Sequence, residues 1–338
     1  MDKPKASVIS DLEVKKMKGI NINEQINHMT IEQSKPLLFD ANTIAARDYW
    51  NKSLNRAISP SNLPRDSLGD GTVQNFNPLD SEHSVASIDG NLCPQLCESI
   101  QRLSSGGNFL IYTILVTGLH LCLNRYNTAQ SNVTGSPSRT NENQRCDANA
   151  LPIVSDISAD MSFKQSLMQL RGKLLDAYQH QHYPWQNIAE NLGLEIEKGN
   201  PLFDIGISFT PIHTPFSENI NSDISFVIEP IESEANCLAL QFQLQYDKNK
   251  FSRARIELFL AHFETLLMHG LNSLDEPVSG LSMLSDQDRL FLAKHQSGTI
   301  KPLEHGFFID FWNQSLSAHK DSIALETPTR KLTFEQLD

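Results

Sequence analysis

A two-layer α/β (α+β) sandwich, with helices on one face of a mixed or antiparallel sheet, is the fold this sequence predicts, and three features predict it. The segments "LFDIGISFT" (202–210) and "LALQFQLQY" (238–246) alternate apolar and polar residues, the pattern of strands covered on one face. Two other segments carry the helical period: Phe163, Leu167, Leu170, Leu174 and Tyr178, and then Ile256, Phe259, Leu260, Phe263 and Leu267. The composition, 39% hydrophobic and 20% charged over 338 residues, is that of a globular chain with a sizeable core.

The elements follow in chain order. Residues 1–36 are polar without sustained periodicity and read as a loose tail. Ala45, Tyr49, Trp50 and Leu54 have helical spacing, and a Ser/Asn/Pro/Gly-rich loop follows to about Pro78. "SVASID" reads as a strand. Leu92, Leu96, Ile100 and Leu103 then make one helix face that ends at Gly106-Gly107. The 15-residue run "FLIYTILVTGLHLCL" (109–123) is expected to be a buried helix capped by Asn108, since a bilayer span needs roughly 20 residues. Residues 128–149 read as polar loop and "ALPIVSDIS" as a strand. Ser162 with Gln165 forms a capping box for the helix at 162–180, and Ser252 caps the one after the second alternating strand. The layered domain runs from about 60 to 275.

Past a linker at about 286–302, "FFIDFWNQSL" reads as helix and "SIALETPTRKLTFEQLD" as two short strands joined by a Pro-containing turn. About 36 residues cannot close a core alone, so the chain is expected to end inside a second domain.

Charge and cysteine usage narrow the function classes. A net charge of −12 with scattered Lys and Arg argues against nucleic-acid binding. The five cysteines, at 93, 97, 122, 146 and 237, include no CxxC pair. They read as reduced thiols of a cytoplasmic protein, with no metal site expected. The N-terminus lacks the apolar core of a signal peptide.

Four ordered motifs carry a resemblance: "YW" at 49–50, "NALPIVSDIS" at 149–158, "HQHYPWQNI" at 180–188 and "NPLFDIGISF" at 200–209. They resemble the motifs of condensation domains of nonribosomal peptide synthetases, and "LNRYN" followed by "NVTGSP" is also similar to a segment of those domains. Residues 303–338 are similar to the opening of an adenylation domain. The resemblance implies a lobe folded like chloramphenicol acetyltransferase, the second of two, over 37–285 with a lead-in helix at 44–56. It also implies a multidomain enzyme of secondary-metabolite (antibiotic) synthesis, joining carrier-bound substrates into amides. Phosphopantetheine on carrier domains and ATP with magnesium are implied for the full protein, and no cofactor for this chain. The implied partners are adenylation and carrier domains, or another synthetase subunit; membrane and nucleic acid are not among them.

The residues credited with condensation lie in an HHxxxDG motif on the first lobe, and that motif is absent. None of the eleven histidines is adjacent to another. Asp70-Gly71 follows Arg65 and Asp66, and Asp89-Gly90 follows Ser84 and Val85, where the histidine pair would stand. No catalytic residue is therefore expected here. By the resemblance, Asn149, His180, Pro184, Trp185, Asn200, Pro201 and Phe203 are candidates for a structural or substrate-channel role. His180 has three readings: a helix-end contact with the last carbonyls, which is favoured, a channel-lining contact, or an acid/base. Asn149 could hold the active-site floor or cap a loop, and the family's arginine falls at Val154. The 200–209 segment is expected at a sheet edge, with Asp204, Gly206 and Ser208 leaving one face small and polar. That surface is expected to be partly covered by Met17, Ile20, Ile22, Ile26 and Met29 of the tail.

Overall fold

The computed structural model describes residues 41–54, 61–66, 85–127, 131–140, 149–196, 200–213, 216, 222–231, 237–296, 298 and 307–338. It divides at Ser285/Asp286 into two units. The tail at 1–36, its proposed covering role and Cys146 lie outside the described residues.

The larger unit begins with helix α1 (Ala41–Leu54), strand β1 (Val85–Asn91), helices α2 (Pro94–Ser104) and α3 (Asn108–Tyr126), and strands β2 (Asn132–Pro137) and β3 (Ala150–Ser155). It continues through α4 (Phe163–Gln179), α5 (Trp185–Asn191), β4 (Ile205–Phe209), β5 (Ile224–Ile231), β6 (Ala239–Asp247) and α6 (Arg253–Asn272). The strands form one sheet in the order β1-β6-β5-β4-β2-β3. It is mixed: β4 runs parallel to both neighbours, and the other pairings are antiparallel.

Helices α2, α3, α4 and α6 cover one face. Every residue of α3 from Ile111 to Leu123 is buried, which explains the all-round apolar sequence. This helix is long and apolar enough to span a bilayer, yet it is the core helix of the sandwich. Gly118 lets α6 approach: a Cβ there would sit 3.0 Å from Leu267. His120 is enclosed with it, 2.7 Å from Ser155 Oγ and 2.8 Å from Thr134 Oγ1. Burial lowers its pKa to about 3, so the ring is neutral.

The capping box on α4 forms as read, Ser162 Oγ accepting from Gln165 N–H and Gln165 Oε1 from Ser162 N–H. Asn108 does not cap α3. Gly107 occupies the N-cap and Asn108 is the first helical residue.

Two expectations about strands fail, both at strands whose every residue is buried. The stretch read as loop contains β2, whose six residues are all buried. Its Gly135 lies under the Phe203 ring, where a Cβ would come within 2.1 Å, so a residue type that argues against strand is required there. β4 is not an edge. It pairs with β2 and β5 and all five of its residues are buried, Gly206 beneath Phe216. β5, unassigned from sequence, completes the sheet. Away from the helices, β1, β6 and β5 present a polar plane. Gln243 bonds Asp89 at 3.0 Å and Gln245 bonds Gln243 at 3.1 Å, and Gln241 bonds Glu229. That part of the face is polar by its own side chains.

Residues 61–66 strap the end of the sheet. Asn62 Nδ2 donates to Asp204 at 3.0 Å and to Asp223 at 2.7 Å, and Lys250 pairs with Asp223. Asp66 accepts from Ser252 N–H and Arg255.

The second unit holds α7 (Asp286–His295), α8 (Phe308–His319), a hairpin of β7 (Ile323–Glu326) and β8 (Lys331–Thr333), and a last helical turn, α9 (Phe334–Leu337). Ten residues of the stretch read as linker, Asp286–His295, are thus helical. None of its helices has a buried residue; Phe307, Phe308, Ile309 and Phe311 are exposed.

Candidate functional site

The turn after α4 gathers one group of the motif residues. The helix stops at His180, whose backbone N–H bonds Ala177 and Tyr178 carbonyls. Pro184, exposed, is the N-cap of α5, and Trp185 opens that helix with its ring buried. Asn149, at the threshold of β3, ties this turn down. Its Nδ2 donates to Gln181 and Tyr183 carbonyls, both at 2.8 Å. Its Oδ1 accepts from Ala150 N–H at 2.9 Å and Trp185 N–H at 3.0 Å. Two donors and two acceptors are thereby filled, which is all a carboxamide side chain offers.

His180 does not donate its ring to the last carbonyls of α4. The ring stacks on Tyr49 of α1 at 4.4 Å, and Trp50 Nε1 donates to the His180 carbonyl at 3.2 Å. Desolvation lowers its pKa, with Asp176 opposing, so burial outweighs the carboxylate charge. Tyr49 is shifted too, its pKa pushed up to about 12 chiefly by burial. His182 is exposed.

Between the two histidines sits Gln181, a residue sequence reasoning passed over. Its amide mimics a strand partner, accepting from Arg139 N–H at 2.7 Å and donating to Arg139 O at 3.3 Å. Beneath it runs a buried hydrogen-bonded chain that links four elements. Phe209 N–H donates to His213 Nδ1 at 2.9 Å, which leaves the ring proton on Nε2, 2.8 Å from Tyr178 Oη. Tyr178 lies 3.1 Å from Ser136 Oγ, Ser136 lies 2.8 Å from Tyr112 Oη, and Tyr112 Oη lies 3.1 Å from the Ile207 carbonyl. Tyr112 donates in the Ser136 contact, and Ser136 Oγ donates on to the Pro137 carbonyl at 3.1 Å, a second backbone acceptor. Burial, then the Arg139 charge, lowers His213 to about 3; burial raises both tyrosines. The chain starts and ends on backbone groups, so it holds the sheet to α3 and α4 and offers no proton to a substrate. The signal for it in the sequence was the polar run "NVTGSP".

The other motif residues sit over mid-sheet. Phe203 covers Gly135, Asn200 Oδ1 accepts from Leu202 N–H at 3.0 Å, and Pro201 is half-buried between them. Asn200 Nδ2 is buried without a partner among the described residues. Val154 faces Val133 across β3 and β2 and is half-buried. The thiols of Cys93 and Cys97 are both pushed up, chiefly by burial. Among the described residues no group of three His, Cys, Asp or Glu could hold a metal ion.

A six-stranded mixed sheet with helices on one face defines a chloramphenicol-acetyltransferase-like fold. Residues 30–293 match the condensation-domain family model, and the chain belongs to that family. Gramicidin S synthase 2 of Brevibacillus brevis is 23% identical over 316 residues, covering 86% of this chain and 7% of its own length. The dimodular nonribosomal peptide synthase of Bacillus subtilis (strain 168) is 22% identical over 323 residues, 88% of this chain and 13% of its own. The chain thus spans a small part of these multidomain relatives. Among solved structures, the X-domain in complex with OxyB from teicoplanin biosynthesis matches with a TM-score of 0.60 at 17% identity, over 76% of this chain and 58% of that one. The four-domain synthetase holo-AB3403, bound to AMP and glycine, matches with 0.63 at 16%, over 90% and 25%. These likenesses show the fold.

Proposed function

We propose that this chain is the second lobe of a condensation domain followed by the start of an adenylation domain, within a cytoplasmic peptide synthetase, and that it acts as scaffold. One observation carries the reading: the motif residues at the end of α4 are engaged internally. Asn149 has all four hydrogen-bonding positions filled and His180 is stacked on Tyr49, while no HHxxxDG motif occurs in the sequence. A general base must reach the proton it removes, and none here is placed to do so. In this reading an initiation module retains the lobe as a packing platform for its amino-acid-activating domain. ATP with magnesium and carrier-bound phosphopantetheine serve domains other than this one.

The runner-up readings are a split condensation domain completed in trans and a docking module for another synthetase subunit. The first is tested by adding a separately expressed first lobe that carries HHxxxDG to this chain and loaded carriers. The scaffold reading expects no amide product above that of the added lobe alone; a product that requires both polypeptides overturns it.

A further inference from the structure

A groove of about 410 Å³ opens beside α1 and α4, and the clamp and buried chain described above do not use it. Its floor includes the cross-strand pair Val133 and Val154, and Tyr49 lines it as well. Charges of both signs surround that floor: Lys52 from α1, Lys173 and Asp176 from α4, and Asp156 just past β3. The eight ion pairs recorded among the described residues include none of Lys52, Lys173 and Asp176. Asp176 is nonetheless close enough to act electrostatically on both Tyr49 and His180.

This arrangement discriminates among ligand charges. A simple anion drawn by the two lysines meets the two carboxylates, and a simple cation meets the reverse. A molecule with one charge of each sign and an apolar body satisfies the whole set. The volume falls within the range of small-molecule sites. We propose that the groove binds a free α-amino acid as its zwitterion. The carboxylate faces Lys52 and Lys173, the ammonium faces Asp176 beside Tyr49, and an aliphatic side chain lies on Val133 and Val154. The groove is open to water and each charged contact is screened, so the dissociation constant is on the order of millimolar. The inference does not rest on the scaffold reading, since it concerns binding and not condensation.

The experiment is a titration of the 338-residue chain, followed by amide chemical shifts, with L-leucine, N-acetyl-leucine, leucine methyl ester and inorganic phosphate. Leucine is expected to saturate and to shift Val133, Val154 and the α4 amides around Lys173. The two capped forms, each lacking one charge, are expected to bind about two- to fivefold more weakly. Lys173→Gln and Asp176→Asn are each expected to reproduce that loss for leucine without moving the unfolding midpoint, because neither side chain has an ion-pair partner to lose. The proposal is overturned if leucine fails to saturate at concentrations an order of magnitude above millimolar. It is equally overturned if phosphate or a capped form binds as well as leucine, or if both variants bind leucine unchanged.

Discussion

Replacing Asn149 by alanine tests whether this residue is a clamp or a substrate contact. The substitution strands two carbonyls, of Gln181 and Tyr183, and two amides, of Ala150 and Trp185, in a buried turn. A hydrogen bond contributes about 1 kcal/mol net, and a buried group left unpaired costs about 1–3. Four bonds, with water reaching some of the freed groups, give a loss of about 4 kcal/mol. For a unit of this size that lowers the melting midpoint by roughly 8–16 °C. Asn149→Asp should lose at least as much, since it sets a carboxylate oxygen against two carbonyls. His182→Ala, at an exposed position in the same turn, should stay within about 0.5 kcal/mol. Urea unfolding monitored at the buried Trp185 reads all three. A loss below about 1 kcal/mol for Asn149→Ala would refute the clamp and return the residue to a ligand-facing role.

Two further outcomes follow from the structure. His120 and His213 are neutral in the fold with pKa values of about 3 against an ordinary 6.5. Their folded values are depressed, so the unfolded chain binds more protons and stability falls as pH drops below about 6.5. Each contributes a loss of about 2 kcal/mol between pH 7 and pH 5, and His120→Gln or His213→Gln should flatten that slope; a wild-type profile flat over this range contradicts the burial argument. In the smaller unit, the α8 and hairpin amides should exchange with deuterium much faster than those of β6, because α8 has no buried residue. Equal protection would mean that residues 307–338 form a stable core unaided.

The fold class was readable where an element buries one face and shows the other to water. The α4 capping box and the alternation of β6, with Gln241, Gln243 and Gln245 set against Leu240 and Leu244, state their structure locally. Reading failed where an element is buried on both sides. β2 keeps Thr134 and Ser136 inside because His120, Tyr112 and Tyr178 wait there as partners from distant helices, and no window of sequence contains both halves of that arrangement. The same holds for the site. The motif spacing singled out Asn149 and His180, yet three partners of Asn149 lie 32, 34 and 36 residues further on, and the contacts of Tyr49 and Trp50 with His180 need a chain return of about 130 residues. The expected ring donation from His180 gave way to that stack. Gln181 and His213 were invisible for the same reason, their roles being set by whom they meet.

The most direct test of the account is condensation turnover by the 338-residue chain alone, supplied with an aminoacylated donor carrier and an aminoacylated acceptor carrier and read by mass spectrometry of the carrier-bound products. The account predicts dipeptidyl carrier at the level of the protein-free blank. Dipeptide formed above the blank, and lost on His180→Ala, would contradict it.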